Sequence, residues 1–276
     1  MDNELAEAIE IQLLLATIKQ LYGYDFSLYR TSSLRRRITD LLRVHQLQYI
    51  SELIPLLIYK KGFFEEFVAH ISVSVTGFFR DPWVYKILAE QIAINYADYL
   101  DINVWSAGCA TGEEAYSLAI IFKELGLLGK TKIVATDMCQ QALETGILGI
   151  YSNAYIRQYS ANYQHAGGNT SFSDYFTARY DLIKMTDDIM SHISFRLHNL
   201  VVDVAWGKVQ LIVCRNVLIY FSEELQSQVL QLFSESLVNN GLLLLGPQDC
   251  LYASVLERGF EVVDEDSRLY RRKIRD

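Results

Sequence analysis

VQLIVCRNVLIYF, running from Val209 to Phe221, is an apolar stretch broken at Cys214, Arg215 and Asn216 and resumed from Val217. An uninterrupted apolar run of this length reads as a strand covered on both faces, the environment of a parallel sheet. Ligands of open α/β folds bind beyond the carboxyl ends of such strands, so Arg215 and Asn216 stand where a binding crevice is expected.

Outward from this stretch the chain alternates strand and helix. INVWSA (Ile102–Ala107) precedes EEAYSLAIIFKEL, KIVATD (Lys132–Asp137) precedes QQALETGIL, and EELQSQVLQLFSESL separates the quoted run from GLLLLG. Such alternation implies right-handed βαβ units and a mostly parallel sheet. FEVVDEDSRLYRRK, near the end, reads as two short strands around an acidic turn, so an antiparallel hairpin is expected to finish the sheet. Residues 151–194, rich in Tyr, Ser and Asn and broken at Gly167-Gly168-Asn169, have no clean period and read as an inserted excursion, a small β subdomain. Residues 1–72 read as helices: Ile9, Leu13, Leu14, Ile18 and Leu21 recur at helical spacing, as do Leu34, Ile38, Leu41 and Leu42.

Composition narrows the function classes. The 276 residues are 51% hydrophobic and carry a formal charge of -8, which suits a soluble globular protein and argues against nucleic-acid binding through the whole surface. Cys109, Cys139, Cys214 and Cys250 form no CxxC pair and have no histidine at ligand spacing, so neither a metal site nor a disulfide framework is suggested. The acidic start MDNELAEAIEIQ lacks the features of a signal peptide, and no apolar run reaches about 18 residues, so no direct membrane insertion is expected. Reduced thiols and the missing leader point to the cytoplasm.

Three segments can carry chemistry. After Ile102–Trp105 come Ser106-Ala107-Gly108-Cys109-Ala110-Thr111-Gly112-Glu113-Glu114, small residues that let a ligand approach the backbone at a helix N-terminus. The spacing is not GxGxxG, and two carboxylates stand where a pyrophosphate needs positive potential, so the turn suits a nucleotide-like ligand with a cationic group. A plain βα turn, with Glu113 and Glu114 stabilising the helix dipole, is the alternative. Asp137 at the end of the next strand is placed either to accept hydrogen bonds from ribose hydroxyls or to cap the following helix. Thr76-Gly77-Phe78-Phe79-Arg80-Asp81 joins the helical and α/β regions; core anchors beside a surface charge are the commoner reading of its aromatics and Arg80, and position alone leaves the matter open.

Together these segments resemble the CheR-type chemotaxis receptor methyltransferases, S-adenosylmethionine-dependent protein-glutamate O-methyltransferases. The resemblance spans nearly the whole chain and rests on TGFFRD (76–81), WSAGCATGEEAYSLA (105–119), ATD (135–137), HNL (198–200) and CRNVLIYF (214–221), collinear and at the family's approximate spacing. It implies a Rossmann-like class I methyltransferase domain over 73–276, with 151–194 as its inserted subdomain, behind an all-helical N-terminal domain over 1–72. Carried over by position, Ser74, Thr76 and Arg80 would contact the cofactor beside Gly108, Glu114 would hold its amino-acid end, and Asp137 its ribose. Asn199 and Leu200 would flank the adenine, and Arg215 and Asn216 would close the pocket. Arg80 and Tyr220 would lie near the transferred methyl, with S-adenosylhomocysteine as product. The chain departs from the family at Ser74, usually Asn, and at Gly246-Pro247-Gln248-Asp249, where a GHSE-like segment is usual.

The helix around Leu34 also carries Arg30, Arg35, Arg36, Arg37 and Arg43; at 100° per residue Arg36 and Arg43 fall opposite the apolar side, with Arg35 and Arg37 at its borders. A solvated face is the bland reading; within this family the face is expected to dock the cytoplasmic helical domain of chemoreceptors. TARYDLIKM follows Tyr175-Phe176 without a glycine-rich loop, which predicts independence from a receptor's pentapeptide tether. A small-molecule methyltransferase would not need the arginine helix. A non-catalytic binder of S-adenosylmethionine or S-adenosylhomocysteine is the other alternative, and the acidic turn disfavours an NAD oxidoreductase.

Overall fold

The computed structural model describes residues 3–72, 76–249 and 259–273. The chain begins with helices α1 (Asn3–Tyr22), α2 (Thr31–His45), α3 (Leu53–Tyr59) and α4 (Phe63–Ile71), which share a core of Leu14, Ile18, Phe26, Leu34, Ile38, Leu53 and Phe67. α5 (Pro82–Tyr96) then leads into the α/β region. That region contains β1 (Ile102–Ala107), α6 (Glu113–Glu124), β2 (Thr131–Asp137) and α7 (Gln140–Leu148). An excursion follows: β3 (Ile150–Ser152), α8 (Ile156–His165), β4 (Phe176–Arg179), β5 (Leu182–Met185) and α9 (Asp187–Met190). The chain returns through β6 (Ile193–Leu197), β7 (Val209–Cys214), α10 (Glu223–Ser236), β8 (Leu237–Leu245), β9 (Phe260–Asp264) and β10 (Leu269–Arg272).

The main sheet has the order β6-β2-β1-β7-β8-β10-β9. β6, β2, β1, β7 and β8 are parallel neighbours, while β10 runs antiparallel to both β8 and β9. Every residue of β7 is buried, as its apolar run predicts, because α6 and α10 cover the sheet. One face packs Leu211 and Val213 with Ile120, Phe122 and Tyr85; the other packs Ile212 and Trp105 with Leu225, Val229 and Phe233. Among the described residues no helix is long and apolar enough to cross a membrane.

One sequence expectation needs adjustment, and one helix has a face that periodicity left open. The excursion expected over 151–194 runs too far, because Ile193 and Ser194 already belong to β6, paired in parallel with Ile133 and Val134 of β2. β6 is an edge strand with half-buried and exposed positions, so it lacks the apolar run that marks β7. The excursion itself folds as a three-stranded antiparallel sheet of order β3-β5-β4 with α8 beside it. In α1 the buried residues are Ile11, Leu14 and Ile18, whereas Ile9, Leu13 and Leu21 are exposed at 45%, 53% and 50%. This helix is apolar nearly all round, so periodicity could not choose its inward face.

Candidate functional site

From β1 the chain passes to β2 on one side, and it returns to β7 on the other. Such a reversal of order makes a crevice at the carboxyl ends of the two strands. The segments after β1, β2, β6 and β7 meet there around one solvent-open cleft.

The turn after β1 is drawn in tightly. Gly108 (φ 74°) and Cys109 donate backbone N–H bonds to the carbonyl of Thr136 at 2.7 and 2.9 Å. A Cβ on Gly108 would sit 2.5 Å from Val217 Cγ2, so a glycine here lets the β1 and β7 loops close on each other. Asp137 stitches neighbouring turns together: Oδ2 accepts from Ala110 N and Oδ1 from Cys139 N, each at 2.9 Å. Burial raises its pKa despite these donors. It does not cap α7, whose N-cap is Cys139. Glu114, on the first turn of α6, is buried with its Oε1 accepting from Ser106 Oγ at 2.9 Å. Burial pushes its pKa up, and the charges of Arg215 and Arg80 pull it back.

Arg215, delivered by β7, is buried under the cleft. Its Nη2 donates to Asp81 Oδ2 at 2.7 Å, and Nη1 donates to the Arg80 carbonyl at 2.9 Å and to Tyr85 Oη at 3.2 Å. It therefore anchors the segment that presents Arg80. That segment is unusual in its backbone: Phe79 (φ 50°) and Asp81 (φ 57°) are both left-handed, a conformation that costs on the order of 1–3 kcal/mol per residue and collects at functional sites. Phe78 and Phe79 are buried in the core, and Phe79 N donates to Ser117 Oγ at 3.0 Å, so the exposed Arg80 stands on a fixed rim.

The helical region closes the cleft from above. Tyr29, Ser33, Leu34 and Arg37 line it, and Leu28–Arg30 lies alongside Tyr220–Ser222. Arg30 N donates to the Tyr220 carbonyl and Ser222 N to the Leu28 carbonyl, both at 2.8 Å, while Tyr29 packs edge-on against Phe221.

Thr76, Arg80, Gly108, Glu114, Asp137, Asn199, Leu200, Arg215, Asn216 and Tyr220, all expected from sequence, line this one cleft. Ser74 lies outside the described residues. The arginines of α2 divide. Arg37 lines the cleft, Arg35 is tied to Glu7, Arg43 pairs with Asp40 at 3.0 Å, and Arg36 is exposed. Sequence reasoning missed Asp81 and Tyr85 as partners of Arg215 and Tyr29 as a cleft wall, because each acts through a contact distant in sequence. It registered Asp249 only as a departure, although that carboxylate binds three backbone N–H groups below the cleft.

The donor set fits S-adenosylmethionine. The buried Glu114 carboxylate accepts from Ser106 through Oε1, and its further lone pairs suit an ammonium group. Arg215 Nε is buried without a partner among the described residues. Asp137, only half-buried, keeps lone pairs for hydroxyl donors at the cleft lip.

This sheet, with its nucleotide-type cleft, fits a class I S-adenosylmethionine-dependent methyltransferase, and comparison with known proteins supplies the class. Residues 74–267 match the model of the CheR methyltransferase SAM binding domain, and residues 9–72 match that of the CheR methyltransferase all-alpha domain. The Cher3 protein of Pseudomonas putida is 37% identical over 272 residues, covering 99% of this chain and 100% of its own. The chemotaxis protein methyltransferase of Listeria monocytogenes is 30% identical over 231 residues, covering 83% of this chain and 85% of its own. The solved N-methyltransferase NodS from Bradyrhizobium japonicum, in complex with S-adenosyl-L-homocysteine, aligns with 68% of this chain and 85% of its own at a TM-score of 0.38 and 12% identity. The chain belongs to the CheR methyltransferase family. It is an S-adenosylmethionine-dependent methyltransferase of the chemotaxis type.

Proposed function

We propose that the chain esterifies glutamate side chains in the cytoplasmic helical domain of chemoreceptors, with residues 1–72 docking the receptor and residues 73–276 carrying the chemistry in the cytoplasm. The observation that carries this reading is the meeting of Glu114, Asp137, Arg80 and Tyr220 around one cleft. When bound, S-adenosylmethionine supplies an electrophilic methyl on a sulfonium and leaves as neutral S-adenosylhomocysteine. Glu114 would hold its ammonium group and Asp137 its ribose hydroxyls, while Asn199 and Leu200 would flank its adenine.

The acceptor needs no general base, since a glutamate, with a pKa of about 4.3, is ionised at neutral pH. Positioning then dominates: acceptor oxygen, methyl carbon and sulfur must lie in line, and holding them so supplies effective molarity. Arg80 would orient the acceptor carboxylate from the rim, and Tyr220 would shape the passage to the methyl. Arg36 and Arg43, on the exposed side of α2, would meet the acidic receptor surface. The β4–β5 hairpin turns through Tyr180-Asp181 alone, without a glycine-containing insertion, which favours independence from a pentapeptide tether.

The test uses methyl-labelled S-adenosylmethionine and receptor-containing membranes, followed by mild alkali. Volatile label released from receptors is the expected result. Alkali-stable label would move the acceptor away from carboxylates. Binding of S-adenosylhomocysteine with no transfer to any receptor would leave a non-catalytic regulator.

A further inference from the structure

We propose that Asp249 is a positioning residue for methyl transfer, its carboxylate fixing the loop that carries Asn216 and Tyr220 on the wall of the cleft. The idea rests on the methyltransferase reading of that cleft and assigns a role to the one part of the Gly246–Asp249 segment that carries charge. Asp249 is 1% exposed, and among the described residues its carboxylate bonds to backbone: Oδ2 accepts from Asn216 N at 2.6 Å and Gly246 N at 2.9 Å, and Oδ1 accepts from Ile219 N at 3.0 Å.

These three donors are not held by regular structure. Asn216 is left-handed (φ 60°) and stands just beyond the end of β7, where its N–H can no longer enter the sheet. Ile219 lies in the single turn of Leu218–Tyr220. A neutral side chain of the same shape cannot replace the carboxylate, because an amide would turn its NH₂ toward at least one of these N–H groups, leaving donor against donor.

Gly246 shows how closely the clamp is built. A Cβ there would fall 2.6 Å from Asp249 Oδ2 and 2.7 Å from Asn216 N. On its far side the same loop is held by the bonds from Arg30 N and Ser222 N. With both sides tied, Arg215 before the loop and Tyr220 at its end keep a fixed separation across the cleft.

The test compares Asp249→Asn and Asp249→Glu with the unchanged protein, using turnover per folded molecule and amide exchange at Asn216 and Ile219. Asp249→Asn is expected to lower kcat by about tenfold to a hundredfold, the usual cost of a misplaced reacting group, and to speed exchange at both amides. Asp249→Glu, which keeps the acceptors, should recover most of the turnover. Wild-type kcat in a folded Asp249→Asn protein overturns the proposal, as does an equal loss in both variants. Should Asp249→Asn fail to fold, exchange in the unchanged protein decides: slow exchange at Asn216 and Ile219 supports the clamp, and exchange as fast as in exposed loops overturns it. Absence of methyl transfer in the unchanged protein would count against the enzyme reading, and the exchange data would still judge the clamp.

Discussion

Arg80 is presented by two left-handed residues and by Arg215, which binds its carbonyl rather than its side chain. The bond from Arg215 to that carbonyl does not depend on the Arg80 guanidinium. Arg80→Ala is expected to cut turnover at least about tenfold while changing S-adenosylhomocysteine affinity little, a split that steady-state kinetics beside calorimetric titration will show; unchanged turnover would remove Arg80 from the proposed chemistry. Asp249 gives a prediction of another kind. Burial raises its pKa from 3.8 to about 6, so between those values the folded protein holds a proton that the unfolded chain has released. A carboxylate whose pKa is raised on folding favours the fold at low pH, and that contribution is lost as pH rises through about 6. The full effect is on the order of 3 kcal/mol, since each tenfold change in proton affinity is worth about 1.4 kcal/mol. Unfolding free energy measured from pH 5 to 7 should fall more steeply in the unchanged protein than in Asp249→Asn; parallel curves would contradict the assignment.

At the scale of elements, α2 serves two surfaces. Leu34, Ile38 and Leu41 bury it in the helical core, and its first turns face the cleft through Ser33 and Arg37. Its cationic face is thinner than the sequence implies, since Glu7 engages Arg35 and Asp40 engages Arg43. Exposed pairs of this kind are worth at most about 1 kcal/mol, so a stronger acidic partner can compete for the arginines. Reversing Arg36 and Arg43 to Glu is expected to weaken receptor methylation severalfold at low salt, with the gap closing as salt rises and cofactor binding unaffected. Equal receptor KM values in low salt would remove α2 from docking. What sequence shows of the elements follows burial. β7 and α7 match their expected extents because a fully covered strand and a well-terminated helix carry strong patterns. β6 is missed because an edge strand needs no apolar run, and the inward face of α1 is not legible because its apolar residues surround it.

Across the whole molecule the cleft belongs to both regions. Tyr29, Ser33, Leu34 and Arg37 come from the helical side, and Leu28–Arg30 is hydrogen-bonded to Tyr220–Ser222 of the sheet side. A ligand filling the cleft should therefore steady α2 as well as the sheet loops. Saturation with S-adenosylhomocysteine at about a hundred times Kd is expected to add about 2.7 kcal/mol of stability. It should also slow amide exchange in α2 together with that of the loop at Asn216; protection confined to residues after 76 would separate the helical region from the site.

By itself the sequence determined the alternation of strands and helices, the helical start, the reversal-point residues Gly108, Glu114, Asp137 and Arg215, and the family. Each of these is written locally, in an apolar period or in a short motif whose spacing along the backbone fixes its geometry. Tertiary structure alone decided that Arg215 anchors the Arg80 segment through Asp81 and Tyr85, that Asp249 holds the loop after β7, and that α2 turns Arg37 into the cleft. Those contacts join residues far apart in the chain, and which polar group meets which depends on where sheet and helices pack, a fact no local pattern records.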